Sequence, residues 1–425
     1  MHHFQYRDGI LHAEDVAVPD IAAAVGTPFY CYSTATLTRH YRVFTDAMKG
    51  LDTLVCFSAK ANGNVAVLRV LADLGAGCDV VSGGELQRAL AAGIPAAKIV
   101  FSGVGKTTEE LTLALTSGVG QINVESTPEL ERLDALARGA GLIAPVAVRV
   151  NPDVRADTHE KITTGRKEDK FGVAWTDAPE LYRRAQQMTG IDVRGVAVHI
   201  GSQITDLAPF EAAFSKVAGL VEDLRANGID IRTVDLGGGL GVPYRRDNEA
   251  PPSPAEYGDV VRRTVGSLGC TIMFEPGRVI AANAGILVSS VVYMKHGTTK
   301  SFVILDAAMN DLVRPAMYDA HHDILPVAEP EAGTDIAPYD VVGPVCETGD
   351  RFARDVQLPP LSENDLVAFT AAGAYGAVMS STYNTRPLVP EVLVNGSEFA
   401  VIRKRPSVTD MLALEDLPPW LTGGT

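Results

Sequence analysis

From Leu51 to Gly277 short, β-branched apolar runs alternate with amphipathic stretches. The runs are Thr53–Phe57, Cys78–Val81, Lys98–Phe101, Gln121–Val124, Pro145–Val150, Val196–Ile200, Thr233–Leu236 and Thr271–Phe274. Between them the spacing is helical: Leu68, Leu71 and Leu74 fall three apart, as do Leu130, Leu133 and Leu136. Thr108-x-x-Leu111 with Glu109 and Glu110 marks a helix start. Strands alternating with helices imply a parallel sheet with crossover helices. Eight such units over about 250 residues predict a (β/α)8 TIM-type barrel, with an open doubly wound sheet as the structural rival.

Near Ala284 the rhythm changes. Strand-like segments follow one another at Leu287–Met294, Ser301–Asp306, Asp340–Val345, Leu366–Phe369, Glu391–Val394 and Phe399–Arg403, separated by turn residues such as His296-Gly297 and Asn395-Gly396. This predicts an all-β second domain, a sandwich or Greek-key barrel, joined by the first thirty residues read as short strands. The expected division is a barrel over 33–284 and a β-domain from 1–32 plus 285–425. Three loops stand out as long and polar: Arg155–Lys170, Pro243–Pro254 and Ala328–Pro338. Loops of that length are solvated connections or lids.

The length of 425 residues agrees with two domains. A formal charge of −15 argues against a nucleic-acid partner but leaves room for a local cationic pocket. The five cysteines are odd in number and widely spaced with no C-x-x-C pair, so neither a disulfide framework nor a structural zinc is expected. No apolar run long enough for a membrane span occurs, and the opening MHHFQYRDG lacks a signal-peptide core. The expectation is a cytoplasmic protein with no metal, membrane or nucleic-acid partner.

In a barrel of this kind chemistry gathers where strands end. The first strand ends in Ser58-Ala59-Lys60-Ala61-Asn62, the second is flanked by Asp79 and Ser82-Gly83-Gly84-Glu85, and the fifth ends Arg149-Val150-Asn151-Pro152. The sixth ends His199-Ile200-Gly201-Ser202, the seventh enters Asp235-Leu236-Gly237-Gly238-Gly239, and the eighth ends Glu275-Pro276-Gly277-Arg278. A triple glycine can turn its N–H groups toward a phosphate; its bland alternative is a tight turn. A desolvated Lys60 could be a neutral nucleophilic amine, although most lysines are solvated. Glu275 could keep a pyridine nitrogen protonated, or simply pair with Arg278. His199 could stack on a flat ring, or be structural. Together they supply what pyridoxal-phosphate (PLP) chemistry needs.

The segments SAKAN (58–62), GCDVVSGGEL (77–86), FSGVGK (101–106), NVES (123–126), RVNPDV (149–154), THEKITTG (158–165), KFGV (170–173) and HIGSQI (199–204) carry a resemblance. It continues through DLGGGLG (235–241), EPGR (275–278), DAAMNDLVRPAMY (306–318), GPVCETGD (343–350) and AGAYGAVMSSTYN (372–384). In this order the chain resembles the diaminopimelate decarboxylase family of PLP enzymes, of alanine-racemase-like fold, from about Phe29 to Val394. The resemblance implies that Lys60 carries PLP covalently, that His199 lies against its ring, and that Glu275 pairs with the ring nitrogen. Gly237, Gly238, Gly239, Ser202, Arg278 and Tyr375 would surround the phosphate, with Asp79 nearby. Arg278, Arg314, Tyr318 and Tyr375 would meet the substrate, Glu347 its distal ammonium, and Cys346 would return a proton to the carbanion. A homodimer with shared active sites is implied, the Cys346-Glu347 segment serving the partner's barrel. Cys346 could instead be an inert thiol. The implied reaction is decarboxylation of meso-2,6-diaminopimelate to L-lysine. The rivals are a decarboxylase of another basic or dicarboxylic amino acid, a racemase, and a non-catalytic PLP-binding protein.

Overall fold

A computed structural model describes residues 2–154, 170–245 and 250–421. The chain forms two compact units, residues 34–283 and residues 1–33 with 284–425. The loop expected at Arg155–Lys170, with the THEKITTG segment, lies outside the described residues except for Lys170, as does the middle of the loop Pro243–Pro254.

In residues 34–283 eight parallel strands close on themselves: Thr53–Ser58, Gly77–Val80, Ile99–Phe101, Gln121–Val124, Ala144–Asn151, Ile191–Ala197, Thr233–Asp235 and Thr271–Phe274. Closure is made where the last strand pairs the first, Ile272 opposite Thr53. The expected TIM-type barrel is therefore present, and the open sheet is excluded. One strand sits differently from its sequence signal. The run Val196–Ile200 is strand only to Ala197, and the strand begins at Ile191. Its first half is only half-buried and includes Asp192 and Arg194, which weakens the apolar signal. His199 and Ser202 therefore lie beyond the strand, on the rim.

Local chemistry starts the helices. Thr107, one residue before the sequence signal, caps Thr108–Ser117 through a reciprocal box with Glu110. Ser82, Ser126 and Ser253 cap three others by accepting from the N–H three residues on. The helices bury one face against the barrel: Leu68 and Leu71 in one, Leu130 and Leu133 in another. Phe44, Phe210, Phe214, Tyr257 and Phe274 form an aromatic cluster, with Phe274 edge-on to Phe44 at 5.6 Å.

The period of two along strands sorts the barrel interior by height. Cys56, Val100 and Met273 form a buried apolar layer with Leu54 packed against it. Two residues further along the same strands and faces come Ser58, Ser102 and Glu275. The floor is apolar, and the layer above it is polar.

The second unit is β-rich. Gly285–His296 is its spine: Leu287 pairs with Tyr30 of Phe29–Ser33 on one side and with Phe369 of Leu366–Phe369 on the other. From Val291 on the same strand pairs with Ser301–Leu305 instead, across a register shift at Val291/Tyr293, so that one strand serves two sheets. Phe29–Ser33 is buried throughout. The first thirty residues correct the sequence expectation in part. They hold three short strands and also the helix Val18–Val25, with proline in its first turn. Ile324–Pro326 and Arg351–Leu358 are strands that carried no clear apolar run.

Candidate active site

The barrel mouth gathers most of the predicted residues. Lys60 follows the first strand and its Nζ donates to Asp79 Oδ2 at 2.7 Å. Asp79 is fully buried, and the Ser58 hydroxyl lies 2.8 Å from the same oxygen and 2.9 Å from the Glu275 carbonyl. Asp79 Oδ1 is buried with no protein partner among the described residues. A buried carboxylate oxygen left unpaired is costly unless another group meets it.

His199 Nδ1 accepts the Gly238 N–H at 3.2 Å, so the ring proton sits on Nε2. Burial, then the charges of Lys60 and Arg149, hold this imidazole well below its usual range and keep it neutral. The glycine turn is forced by packing. A Cβ would meet Val198 O at 2.5 Å from Gly237, Glu275 O at 2.3 Å from Gly238, and Gly201 O at 2.6 Å from Gly239. Gly237 and Gly239 also have positive φ, +65° and +116°. Arg278 begins the short helix Arg278–Ala281; its Nη2 donates to Ser202 Oγ at 2.9 Å and its Nη1 to the Tyr244 hydroxyl.

Glu275 closes the ring of residues. Ser102 Oγ donates to its Oε1 at 3.1 Å. Burial, then Asp235, then Asp79, raise its carboxyl well above the carboxylate range. Asp235 is buried as well and raised by burial; it accepts from Asn123 Nδ2 at 2.8 Å, from Gly237 N at 3.0 Å, and hydrogen-bonds Glu275. Two adjoining buried carboxyls disfavour each other's ionisation, which adds to the effect of burial on Glu275.

Sequence reasoning assigned no role to several supports of this ring. Thr233 donates to Gln121, Gln121 Nε2 to Asn123 Oδ1, and Asn123 Nδ2 to both Asp235 and Ser102. This chain of donors crosses the barrel and ends on the carboxyl pair. Glu125 accepts from Gly103 N, Gly172 N and Arg149 Nη1, and Lys106 donates to Glu129, Gly103 O and Asn123 O, each at 2.7 Å. The available signal was polar side chains within apolar strand runs: Gln121 and Asn123 alternate with Ile122 and Val124.

The remaining predicted residues belong to the β-rich unit. Arg314 is buried at the start of the helix Arg314–Tyr318, and its Nη1 lies 2.9 Å from His322 Nε2; Tyr318 is half-buried. Cys346 and Glu347 are exposed, and Glu347 accepts from the Tyr383 hydroxyl. Their loop is held by Asp350, which accepts from Val345 N at 2.6 Å and Met309 N at 2.7 Å. Tyr375 is half-buried with φ of 56°, a strained conformation for a non-glycine residue.

The barrel mouth fits PLP on its own donor set. It offers an amine, a backbone cradle no Cβ could enter, an arginine for an anion, a carboxyl of high proton affinity and a neutral imidazole. Residues 34–282 match the family model described as the pyridoxal binding domain of pyridoxal-dependent decarboxylases. Fold and site thus define a PLP-dependent carboxy-lyase.

The relatives narrow this. A curated diaminopimelate decarboxylase of Zymomonas mobilis is 50% identical over 421 residues, covering 98% of this chain and 99% of its own. That of Pseudomonas aeruginosa is 52% identical over 418 residues, again 98% and 99%. Among solved structures, the Helicobacter pylori diaminopimelate decarboxylase complexed with L-lysine has a TM-score of 0.89 at 41% identity, covering 93% of this chain and 98% of its own. The M. jannaschii enzyme in complex with L-lysine gives 0.94 at 35%, covering 99% and 100%. The chain belongs to the diaminopimelate decarboxylase family.

Proposed function

We propose that this chain removes CO2 from one end of meso-2,6-diaminopimelate to give L-lysine, with Lys60 as the residue that carries PLP. The observation that carries the reading is the cluster of Lys60, Asp79, His199, the Gly237–Gly239 turn, Glu275 and Arg278 at one barrel mouth. Bound there, PLP supplies an aldehyde for amine exchange and a pyridine ring that accepts the electrons left by departing CO2. Asp79 orients the Lys60 amine. Glu275 would give up its proton to the pyridine nitrogen and, as a carboxylate, would hold that nitrogen protonated. The neutral His199 would lie against the ring and add no charge. The glycine turn, Ser202, Arg278 and Tyr375 would hold the phosphate.

Diaminopimelate has two amino-acid ends, so one must be gripped while the other reacts. Arg314, Arg278, Tyr318 and Tyr375 hold the distal end's carboxylate and Glu347 its ammonium, since a guanidinium fork matches a carboxylate and a carboxylate takes an ammonium. Cys346 returns a proton to Cα. The protein acts as a homodimer in the cytoplasm, the Cys346-Glu347 segment serving the partner's barrel. Support comes from the exposure of both residues on an ordered loop, and from five cysteines all free.

The test is an absorption spectrum of the purified protein with PLP, with and without diaminopimelate, alongside measurement of CO2 and lysine. Lys60→Ala should lose both turnover and the bound-cofactor absorbance. A protein that takes up no PLP, or a variant of full activity, refutes the reading.

A further inference from the structure

Arg314 belongs to a buried triad whose other two members, His322 and Thr370, have no proposed role. His322 is almost wholly buried, and its two ring nitrogens face different partners. Nε2 lies 2.9 Å from Arg314 Nη1, and Nδ1 lies 2.8 Å from the Thr370 carbonyl oxygen. A guanidinium only donates and a carbonyl only accepts. The imidazole therefore carries its one proton on Nδ1, gives it to Thr370, and accepts from Arg314 through Nε2. A second proton would set an N–H against the guanidinium.

The frame around His322 is rigid. Thr370 follows the strand Leu366–Phe369, and its N–H donates to the Asp323 carbonyl at 2.9 Å. Ile324, two residues after His322, pairs with Phe369. The residue after the ring, Asp323, and its Nδ1 partner Thr370 are thus both tied to the sheet. Arg314 opens a helix of five residues and reaches the ring on a long side chain that is itself buried. Such a side chain loses about 2 kcal/mol of rotamer freedom when it is ordered. If the substrate had to order it, affinity would fall accordingly.

We infer that His322 is a positioning residue for substrate selection: it pins one nitrogen of Arg314 so that the guanidinium plane is set before the distal carboxylate arrives. The inference rests on the proposed role of Arg314. It makes His322 a determinant of selectivity for ligands that keep a distal carboxylate over those that lack it. L-lysine keeps that carboxylate, because decarboxylation occurs at the other end. Cadaverine is lysine without it.

Two variants separate the ring's two jobs. His322→Asn keeps a donor toward Thr370 and withdraws the acceptor from Arg314; His322→Gln returns an acceptor oxygen near the place of Nε2. Dissociation constants of L-lysine and cadaverine are read from the absorbance of the PLP-loaded enzyme, with KM and kcat for diaminopimelate beside them. In His322→Asn, lysine binding should weaken about tenfold or more, the size expected for one charge-assisted hydrogen bond. Cadaverine should move less than about twofold, and KM should rise more than kcat falls. His322→Gln should recover most of the difference. Equal weakening of both ligands, or unchanged lysine binding, overturns the inference. Arg314→Ala is the control: if it leaves lysine binding unchanged, the role of Arg314 itself fails. If it weakens lysine while His322→Asn does not, only the positioning by His322 fails.

Discussion

Asn123→Leu would cut the chain of donors that ends on the carboxyl pair while keeping the same branched outline of the side chain. The amide makes two donated hydrogen bonds, to Asp235 Oδ2 at 2.8 Å and Ser102 Oγ at 3.0 Å, and accepts one from Gln121 at 2.9 Å. The bond to an ionisable partner contributes about 1.5–3 kcal/mol and each neutral one about 1. Burial of the new methyl groups returns about 1–2 kcal/mol. The expected net loss is about 3 kcal/mol, a large share of the roughly 5–15 kcal/mol that keeps a domain folded. Burial already holds the Asp235 carboxyl above the usual carboxylate range. A raised carboxyl makes the fold most stable while protonated, and stability falls as pH rises from the unfolded value through the folded one. The Asn123 amide opposes that rise, so its removal should hurt more at pH 8 than at pH 5, by about 1–2 kcal/mol. Urea unfolding of the cofactor-free protein measures this. Trp420 is exposed on the β-rich unit, so a Trp420→Phe background leaves Trp175 to report the barrel. A loss below about 1 kcal/mol, or one equal at both pH values, would show that Asp235 is satisfied without Asn123.

Lys106→Met should destabilise the barrel by about 3–5 kcal/mol in the same assay, because it strands the buried Glu129 carboxylate; a neutral effect would refute the pairing. Gly238→Ala places a Cβ 2.3 Å from the Glu275 carbonyl, so PLP affinity measured by absorbance should fall about tenfold or more. Mixing inactive Lys60→Ala with inactive Cys346→Ala should restore roughly a quarter of wild-type turnover, since a hybrid dimer with shared sites has one site free of both lesions. No recovery after subunit exchange would place Cys346 with its own chain's barrel.

Much of this architecture was legible in the apolar runs, because a barrel strand is buried on both faces and reads as a continuous greasy segment. Where one face is wet the signal faded. Arg351–Leu358 buries only Phe352 and Leu358 and hides among Arg, Asp and Gln. Val18–Val25 is a helix among short strands, and its proline and Ala-rich body were the neglected cue. At the site, residues next to glycine turns or at strand ends could be named one by one, since position alone marks them. Asp235 was visible in its motif yet had no role, because its meaning lies in Asn123 and Glu275, which are distant in sequence. His322 was invisible for the same reason: only the folded chain brings the Thr370 carbonyl and the Arg314 guanidinium to opposite sides of one imidazole.

The strand Phe29–Ser33 has a consequence for synthesis. Its partners, Gly285–His296 and Glu391–Asn395, leave the ribosome only after residues 34–283 have been made. At roughly 5–20 residues per second that delay is about 10–50 s. Throughout it, five residues destined for complete burial wait on the nascent chain with both edges open, a template for pairing with other chains. Stalling translation just before Gly285 should therefore yield chains with a finished barrel and an aggregation-prone unpaired strand, whereas release past Asn395 should not.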